Sequence, residues 1–303
     1  MLNVQRGVPL APHTTLRIGG PARFYTEPEA LPELEESIAW ALSEEVPFFI
    51  LGGGSNVLVH DRGFDGLVIN TRKLSRVEAE GEKVRAECGV LVDDLVDACA
   101  GRSLTGIEFA AGLPGTVGGA LYMNARAYEG SFSGIVEEVS ALEVEENAVR
   151  KRVLSGALLE FDYKRSVFQR GRFYVKEVSF RLSRGDRESI GRKAEENRKK
   201  RETMGQYLFP NAGCIFKNDY RVGVPSGRII EELGLKGKRI GDAEVFERHA
   251  NFIINRGGAS AEDVYRLILF IEGEVETKRG IRLEREILLI GPWPEYGRKD
   301  GEM

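Results

Sequence analysis

The stretches LGGGSNVL, at residues 51–58, and AGLPGTVGGA, at residues 111–120, are separated by strand-like sequence. Glycine lets backbone N–H groups approach phosphate oxygens, and it tolerates the positive φ angles that turn consecutive amides toward one anion. A lone glycine cluster is more often an ordinary turn. Two such loops suit one extended ligand, so the pair predicts a diphosphate site.

The familiar nucleotide-binding loops do not fit these stretches. Gly52 and Gly54 begin a GxGxxG pattern, but Val57 occupies its last position. The GK pair at 237–238 is followed by Arg239, where a P-loop needs serine or threonine. This argues against a Rossmann dehydrogenase and against a P-loop NTPase, and it leaves a diphosphate site of a third type.

Composition limits the classes of partner. A chain of 303 residues exceeds the usual single core, so two or three compact units are expected. A net charge of -4 gives no broad basic field, so no nucleic acid is expected. The longest apolar runs, 47–51 and 287–290, are too short to span a bilayer, and no cationic apolar leader opens the chain, so no membrane association is predicted. Cys88, Cys99 and Cys214 are odd in number and form no CxxC pair, which favours a reducing, cytoplasmic location.

Strands and helices mix without regular βαβ alternation, which predicts an α+β fold. The periodicity predicts helices at 29–45, 91–100, 189–203, 228–233 and 260–278, and strands at 48–51, 66–70, 77–88, 135–152, 172–182, 214–218, 251–255 and 282–290. The segment 77–88 is predicted to be a hairpin that turns at 80–82, and Ser260 and Asp263 form a capping-box-like pattern at the start of the last helix. The changes in character along the chain predict three units, with boundaries near residues 65 and 205.

Five strings then carry a family resemblance. They occur in one order and are HTTLRIGGPA at 13–22, LGGGSN at 51–56, EFAAGLPGTVGGA at 108–120, YMNA at 122–125 and HANFIIN at 249–255. Together they resemble the UDP-N-acetylenolpyruvoylglucosamine reductase, or MurB, family of peptidoglycan precursor synthesis, from about residue 11 to residue 291. The resemblance implies a two-part FAD-binding region of the vanillyl-alcohol-oxidase type at 1–65 and 66–204, followed by a smaller α+β substrate-binding domain at 205–303.

The resemblance also implies the ligands and the reaction. FAD is expected to bind non-covalently, with its pyrophosphate on the two glycine loops. NADPH is the implied reductant; the enolpyruvyl ether of UDP-N-acetylglucosamine then enters the same site, and a protein acid protonates one vinyl carbon while the other receives hydride. A shared site explains why no separate dinucleotide fingerprint is present. The expected cofactor-binding residues are Leu51, Gly52, Gly53, Gly54, Ser55, Asn56, Gly112, Pro114, Gly115, Thr116, Gly118, Gly119 and Asn124.

Cys214 is the implied carbon acid. The string NAGCIFKN at 211–218 is similar to the family's NAGS-x-FKN segment, whose serine donates the proton, and Cys214 stands in the place of that serine. A thiol with an ordinary pKa of about 8.5 is mostly protonated at neutral pH, so it can donate to a developing carbanion. Apart from its motif, Cys214 would be interpreted as a small buried residue at a strand start.

Lys164 is the implied cation for the enolpyruvyl carboxylate. The string FDYKRSVF at 161–168 resembles the family's YR-x-S-x-F, with Lys164 at the arginine position. Lysine keeps the charge but loses the two-pronged donor geometry. Arg165 would point to the opposite face of a strand, although a local bulge could let it serve instead. From spacing alone, either residue is a surface cation on a sheet.

Glu286 is the implied proton relay. The string LEREI at 283–287 is similar to the family's LE-x-EV ending, whose second glutamate lies near the flavin, so the final strand near 282–291 is expected to return to the active site. Alternation puts Glu286 on one face with Leu288 and Ile290, where desolvation raises a carboxyl pKa. Glu284 shares that face and could instead belong to a solvated ion pair.

The remaining expectations rest on the resemblance. Tyr163, Arg165, Lys217 and Asn218 are expected to bind substrate. The three histidines are too scattered for a metal site, and none is predicted. No insertion carrying the tyrosine loop of longer members is present, so the chain resembles the shorter class.

Two other functions are compatible with part of the sequence. A different flavin oxidoreductase of the same superfamily would keep the N-terminal loops but lack the segments around Cys214 and Glu286. A redox-silent UDP-sugar-binding protein would bind a nucleotide without reducing its flavin.

Overall fold

The computed structural model of this chain describes residues 2–145 and 148–294. The first part of the chain forms a four-stranded sheet in the order β1-β2-β5-β3, in which β5 is parallel to both of its neighbours. Its elements are β1 (Gln5–Pro9), β2 (Pro21–Thr26), α1 (Leu31–Ser43), β3 (Phe48–Leu51), β4 (Val57–Val59) and β5 (Phe64–Asn70). In α1, the helical spacing of Leu34, Ile38 and Ala41 places all three on one buried face.

The middle of the chain forms a five-stranded antiparallel sheet in the order β12-β11-β13-β7-β6. The elements of this part are β6 (Val77–Glu80), β7 (Lys83–Glu87), α2 (Val92–Ala100), β8 (Leu104–Thr105), α3 (Val117–Tyr122), β9 (Arg126–Ala127), β10 (Gly130–Ser131), β11 (Val136–Glu145), β12 (Ala148–Ser155), β13 (Phe173–Arg181), β14 (Ser183–Arg184) and α4 (Arg187–Thr203). Alternation on β13 directs Val178 and Phe180 into a core shared with Leu95 and Val96 of α2.

The last part forms a second four-stranded sheet in the order β15-β18-β17-β16. Its elements are β15 (Asn211–Cys214), α5 (Ser226–Glu232), β16 (Arg239–Ile240), β17 (Ala243–Val245), β18 (Phe252–Asn255), α6 (Ala261–Arg279) and β19 (Leu288–Ile290). Ser260 and Asp263 cap α6 reciprocally, as the sequence predicted. β19 runs parallel to β4 and therefore ties the end of the chain to the first part.

Mixed helix and sheet content confirms the α+β prediction. The boundary placed near residue 65 falls inside β5, which belongs wholly to the first sheet. We therefore propose that the first division lies between β5 and β6. The second proposed boundary, near residue 205, follows the end of α4 at Thr203. Among the described residues, no helix has the length and apolar character needed to cross a bilayer.

Three predicted strands are wrong in their bounds. The segment predicted as one strand at 135–152 forms two strands, β11 and β12, that pair antiparallel with each other. The strand predicted at 214–218 is β15, which ends at Cys214, because the Asn251 side chain bonds both the amide and the carbonyl of Phe216 and replaces the ladder there. The strand predicted at 282–290 is reduced to β19. Before β19, only an isolated bridge between Arg285 and Phe216 remains.

Candidate active site

The two glycine loops lie against each other. The Ser55 hydroxyl donates a hydrogen bond to the Pro114 carbonyl at 3.1 Å. A Cβ added to Gly53 would lie 2.6 Å from the Gly115 Cα, and one added to Gly52 would lie 2.3 Å from the Thr116 hydroxyl oxygen. The glycines are therefore required, first of all, for the loops to approach each other.

The first loop and the centre of the second offer unpaired backbone donors. Within residues 2–145 and 148–294, no protein group accepts a hydrogen bond from the amides of Gly52, Gly53, Gly54, Ser55, Asn56, Gly115 and Thr116. Backbone N–H groups grouped in this way form an anion-binding concavity. The donor set fits a diphosphate such as the pyrophosphate of FAD.

Not every residue predicted to bind the cofactor offers a free backbone amide. The Gly112 amide donates to the Asp93 carboxylate at 2.7 Å, and the Gly118 amide donates to the Cys88 carbonyl at 2.8 Å, so neither N–H is available to a phosphate. Leu51 is buried at the end of β3. Gly119 is exposed at the start of α3, and its amide lies 3.4 Å from the Thr116 hydroxyl.

Asn124 is also committed to the protein. Its side-chain amide donates to the Asp162 carbonyl at 2.9 Å, and its side-chain oxygen accepts from the Ser133 amide at 3.0 Å. The side chain is buried, so Asn124 holds the turn that carries Lys164 rather than presenting a free amide to FAD.

A cleft of about 340 Å³ opens beside the first loop, and its walls include His13, Thr15, Glu27, Gly53 and Arg72. Thr15 links this loop to the last part of the chain: its hydroxyl bonds the Asn211 carbonyl at 2.7 Å and the Gly54 carbonyl at 3.3 Å. His13 and Thr15 belong to the string HTTLRIGGPA, but neither was predicted to have a role in the site. Their place in a string that carries the family resemblance was the sequence signal that could have pointed to a role for them.

Lys164 lies in a turn, where the sequence had suggested a strand. The turn is closed by reciprocal backbone hydrogen bonds between Asp162 and Arg165, and Lys164 has a φ of 55°. Its ammonium nitrogen lies 2.6 Å from the Glu286 carboxylate, and both side chains are largely buried. Arg165 is exposed. The geometry therefore favours Lys164 over Arg165 as the cation of the site.

Glu286 reaches this position from outside a regular strand. Its amide donates to the Ile215 carbonyl at 2.7 Å, and its carbonyl accepts from the Asn56 side chain at 3.0 Å. Burial raises the pKa of the Glu286 carboxyl, while the positive charge of Lys164 opposes that shift. Glu284 is exposed and pairs with Lys217 at 2.6 Å, which agrees with the solvated ion pair that the sequence left open.

Cys214 is the last residue of β15. It precedes Ile215, whose carbonyl accepts the hydrogen bond from the Glu286 amide. Burial and, to a smaller extent, the negative charge of Glu286 raise the pKa of the thiol to about 12. Lys164 and the Asn251 amide oppose this shift more weakly. The thiol therefore keeps its proton throughout the physiological pH range, as a proton donor must.

Asn251 holds the strand end that carries Cys214. It is buried; its side-chain oxygen accepts from the Phe216 amide at 2.9 Å, and its side-chain nitrogen donates to the Phe216 carbonyl at 2.8 Å. Asn251 belongs to the string HANFIIN but was not predicted to have a role in the site. Nothing in the local sequence indicates which backbone groups its side-chain amide will bond.

The predicted substrate-binding residues surround the same corner. The Tyr163 hydroxyl accepts from the Asn218 amide at 3.1 Å, and burial raises the pKa of Tyr163 to about 12. The Asn218 side-chain oxygen accepts from the Ser226 amide at 2.9 Å. The structure thus brings together Tyr163, Lys217 and Asn218 near Lys164. Within the described part of the chain, the Arg165 side chain makes no hydrogen bond or ion pair with them. No group of histidine, cysteine and carboxylate side chains suited to a metal occurs among the described residues.

Two family models match long segments of this chain. Residues 22–145 match the FAD binding domain family model, which places the chain among FAD-binding proteins. Residues 204–290 match the model of the UDP-N-acetylenolpyruvoylglucosamine reductase C-terminal domain.

Relatives cover nearly the whole chain. The UDP-N-acetylenolpyruvoylglucosamine reductase of Synechococcus sp. (strain JA-3-3Ab) is 40% identical over 294 residues, which is 96% of this chain and 93% of that protein. The reductase of Clostridium tetani is 37% identical over 95% of this chain and 92% of its own length. The crystal structure of the UDP-N-acetylenolpyruvylglucosamine reductase (MurB) from Thermus caldophilus aligns with a TM-score of 0.80 and 34% identity, over 96% of this chain and 100% of that one. The chain belongs to the UDP-N-acetylenolpyruvoylglucosamine reductase family.

Proposed function

We propose that this protein reduces the enolpyruvyl ether of UDP-N-acetylglucosamine to UDP-N-acetylmuramic acid, a step of peptidoglycan precursor synthesis, with FAD as bound cofactor and NADPH as reductant. The observation that carries the proposal is the Lys164–Glu286 pair beside Cys214, in contact through Asn56 with the first glycine loop. A cation, a neutral carbon acid and a buried carboxyl are the groups that this reduction needs.

The glycine loops would hold the cofactor. The unpaired amides of the first loop, together with those of Gly115 and Thr116, would bind the pyrophosphate of FAD. When bound, FAD supplies the two-electron chemistry, accepting hydride from NADPH and passing it to one vinyl carbon of the substrate. The cofactor roles of Leu51, Gly112, Pro114, Gly118, Gly119 and Asn124 would then be to shape or support the loops.

Lys164 would stabilise the charge that develops as hydride adds. The substrate carboxylate conjugates with the double bond, so negative charge accumulates on that group in the transition state. An ammonium held in a site with little water stabilises this charge strongly, because its position is fixed in advance by Glu286 and by the turn. Tyr163, Lys217 and Asn218 would bind other parts of the substrate.

Cys214 would deliver the proton. The proton on Sγ passes to the vinyl carbon that has gained the electron pair, and the sulfur is left as a thiolate. With a pKa of about 12, this thiolate is a strong base and is rapidly reprotonated. The net reaction consumes one hydride and one proton for each double bond reduced.

Glu286 would return the proton to Cys214. Its raised pKa keeps a larger share of the carboxyl protonated near neutral pH than an exposed glutamate would have. The Glu286 amide bonds the carbonyl of Ile215, which follows Cys214 in the chain, so the backbones that carry the carboxyl and the thiol are held close together. We also infer a cytoplasmic location, where thiols such as Cys88 and Cys99 stay reduced and NADPH is present.

The test follows the flavin through both halves of the reaction. The purified protein is expected to show the visible absorption bands of oxidised FAD, to lose them anaerobically with NADPH, and to regain them on addition of the enolpyruvyl substrate with formation of UDP-N-acetylmuramic acid. Flavin that is reduced but not reoxidised by this substrate would point to another oxidoreductase. Flavin that NADPH does not reduce would point to a redox-silent binding protein.

A further inference from the structure

Arg126 lies beside the candidate active site but has no part in the chemistry described above. Arg126 is the first residue of the two-residue strand β9 and lies two positions after Asn124 in the chain. Its guanidinium carbon lies 5.9 Å from the centre of the Tyr163 ring, within the range of a cation–π contact. Tyr163 in turn bonds Asn218 and precedes Lys164.

The Tyr163 ring is fixed from several directions. Its hydroxyl accepts from the Asn218 amide, and its ring meets the edge of the Tyr220 ring at a centroid distance of 5.0 Å. A guanidinium resting on a fixed ring is itself partly positioned, because stacking restricts the rotamers of a long side chain. Arg126 is therefore held near the site although it is exposed to solvent.

Three nearby cations are already neutralised by carboxylates. The pairs are Lys164 with Glu286, Lys217 with Glu284, and Arg221 with Asp219. Arg126 differs from them: in the part of the chain that the structure describes, no carboxylate oxygen lies within 4.0 Å of its guanidinium. An incoming anion can pair with Arg126 without first displacing a protein carboxylate.

We propose that Arg126 binds a phosphate of the nucleotide ligand and takes the diphosphate of the UDP-sugar. This inference rests on the proposed function and extends it to the recognition of the nucleotide. The guanidinium offers parallel N–H donors that match two phosphate oxygens at once. The substrate carboxylate is assigned to Lys164, and the diphosphate is the other anionic group that a UDP-sugar presents. NADPH carries a diphosphate too, so the same chemistry could serve the reductant.

The experiment compares Arg126→Ala and Arg126→Lys with Arg187→Ala. Arg187 is an exposed arginine at the start of α4 and serves as the matched control. UDP alone is titrated against the oxidised holoenzyme and followed by the change in flavin absorbance. Half-saturating concentrations for NADPH and for the enolpyruvyl substrate are measured separately by stopped flow.

Arg126→Ala is expected to weaken UDP binding by about tenfold or more, and to raise the half-saturating substrate concentration to a similar degree, as loss of a charge-assisted phosphate contact predicts. Arg126→Lys should recover part of the lost UDP affinity, because lysine keeps the positive charge but lacks the two parallel N–H donors of a guanidinium. The difference between the parent and Arg126→Ala should shrink as ionic strength rises. Arg187→Ala should bind UDP as the parent does.

The remaining outcomes separate the sources of the anion. Weaker NADPH binding with unchanged UDP binding would support the phosphate site and assign it to the reductant. Unchanged binding of all three ligands would overturn the inference, as would weaker substrate binding with unchanged UDP and NADPH binding, since that result marks a carboxylate contact. Failure of the parent enzyme to turn over the enolpyruvyl substrate would refute the proposed function, and the UDP titration would still report on Arg126.

Discussion

The ammonium nitrogen of Lys164 lies 2.6 Å from the Glu286 carboxylate, although the two residues are 122 positions apart in the chain. The pair connects a turn of the middle part with the segment that precedes β19. Each residue is largely buried, so removal of either one leaves an uncompensated charge that the site must neutralise or hydrate. Function at this corner therefore depends on both partners.

Lys164→Ala is expected to slow reoxidation of the reduced flavin by the enolpyruvyl substrate by about a hundredfold or more, the scale for removing one electrostatic stabiliser from an active site. Arg165→Ala should have a much smaller effect, because Arg165 is exposed. Stopped-flow absorbance measures both rates. The reverse order of effects would identify Arg165 as the working cation.

Cys214→Ala is expected to be reduced by NADPH at nearly the parental rate and to be reoxidised very slowly, because only the second half-reaction protonates carbon. Cys214→Ser should recover much of the lost rate, since it restores an O–H donor at the same position. Stereospecific incorporation of solvent deuterium at the protonated carbon follows the step directly. Parental turnover by Cys214→Ala would remove the thiol from the mechanism.

The oxidative half-reaction should depend on the ionisation of Glu286. Burial raises its pKa, so the folded protein keeps the carboxyl protonated to higher pH than an exposed glutamate. As pH rises through that raised value the carboxyl loses its proton, and the reoxidation rate should fall. Glu286→Gln should be reoxidised more slowly at low pH, and its reoxidation rate should not show this fall as pH rises. If the reoxidation rate of Glu286→Gln still fell over the same pH range, the fall would be caused by the ionisation of another group.

Asn251→Ala should slow the oxidative half-reaction while leaving reduction by NADPH nearly unchanged, because it releases the strand end that positions Cys214. Asn255→Ala is the matched control: Asn255 belongs to the same string, is equally buried, and bonds the Leu16 carbonyl at 3.2 Å. Both variants should lose about 1–3 kcal/mol in the free energy of unfolding, the cost of leaving buried partners unsatisfied. Equal kinetic effects in the two variants would reduce Asn251 to a structural role.

FAD should be released from denatured protein, because the expected attachment is non-covalent. Gly53→Val should be purified with little FAD, since its side chain would collide with Gly115 and separate the two loops. Gly191→Ala, on an open face of α4, is the control. Full flavin occupancy in Gly53→Val, measured by absorbance, would contradict the role of the first loop.

The sequence by itself determined the elements whose signal is local. The helical stripe of α1, the capping box of α6 and the β6–β7 hairpin all follow from neighbouring residues, and they occur where the pattern predicted them. The glycine loops and the order of the strings also indicated the family, since close backbone approach leaves glycine as the residue that fits.

Tertiary structure decided what depends on residues far apart in the chain. Alternation placed Glu284 and Glu286 on one face, but only the tertiary contacts decided their partners: Glu286 is largely buried against Lys164, whereas Glu284 is exposed and pairs with Lys217. The burial of Lys164 and the exposure of Arg165 likewise depend on a turn closed by hydrogen bonds between Asp162 and Arg165. A side chain acquires its partner, and a titrating group its pKa, only when packing brings distant segments together and removes water from between them.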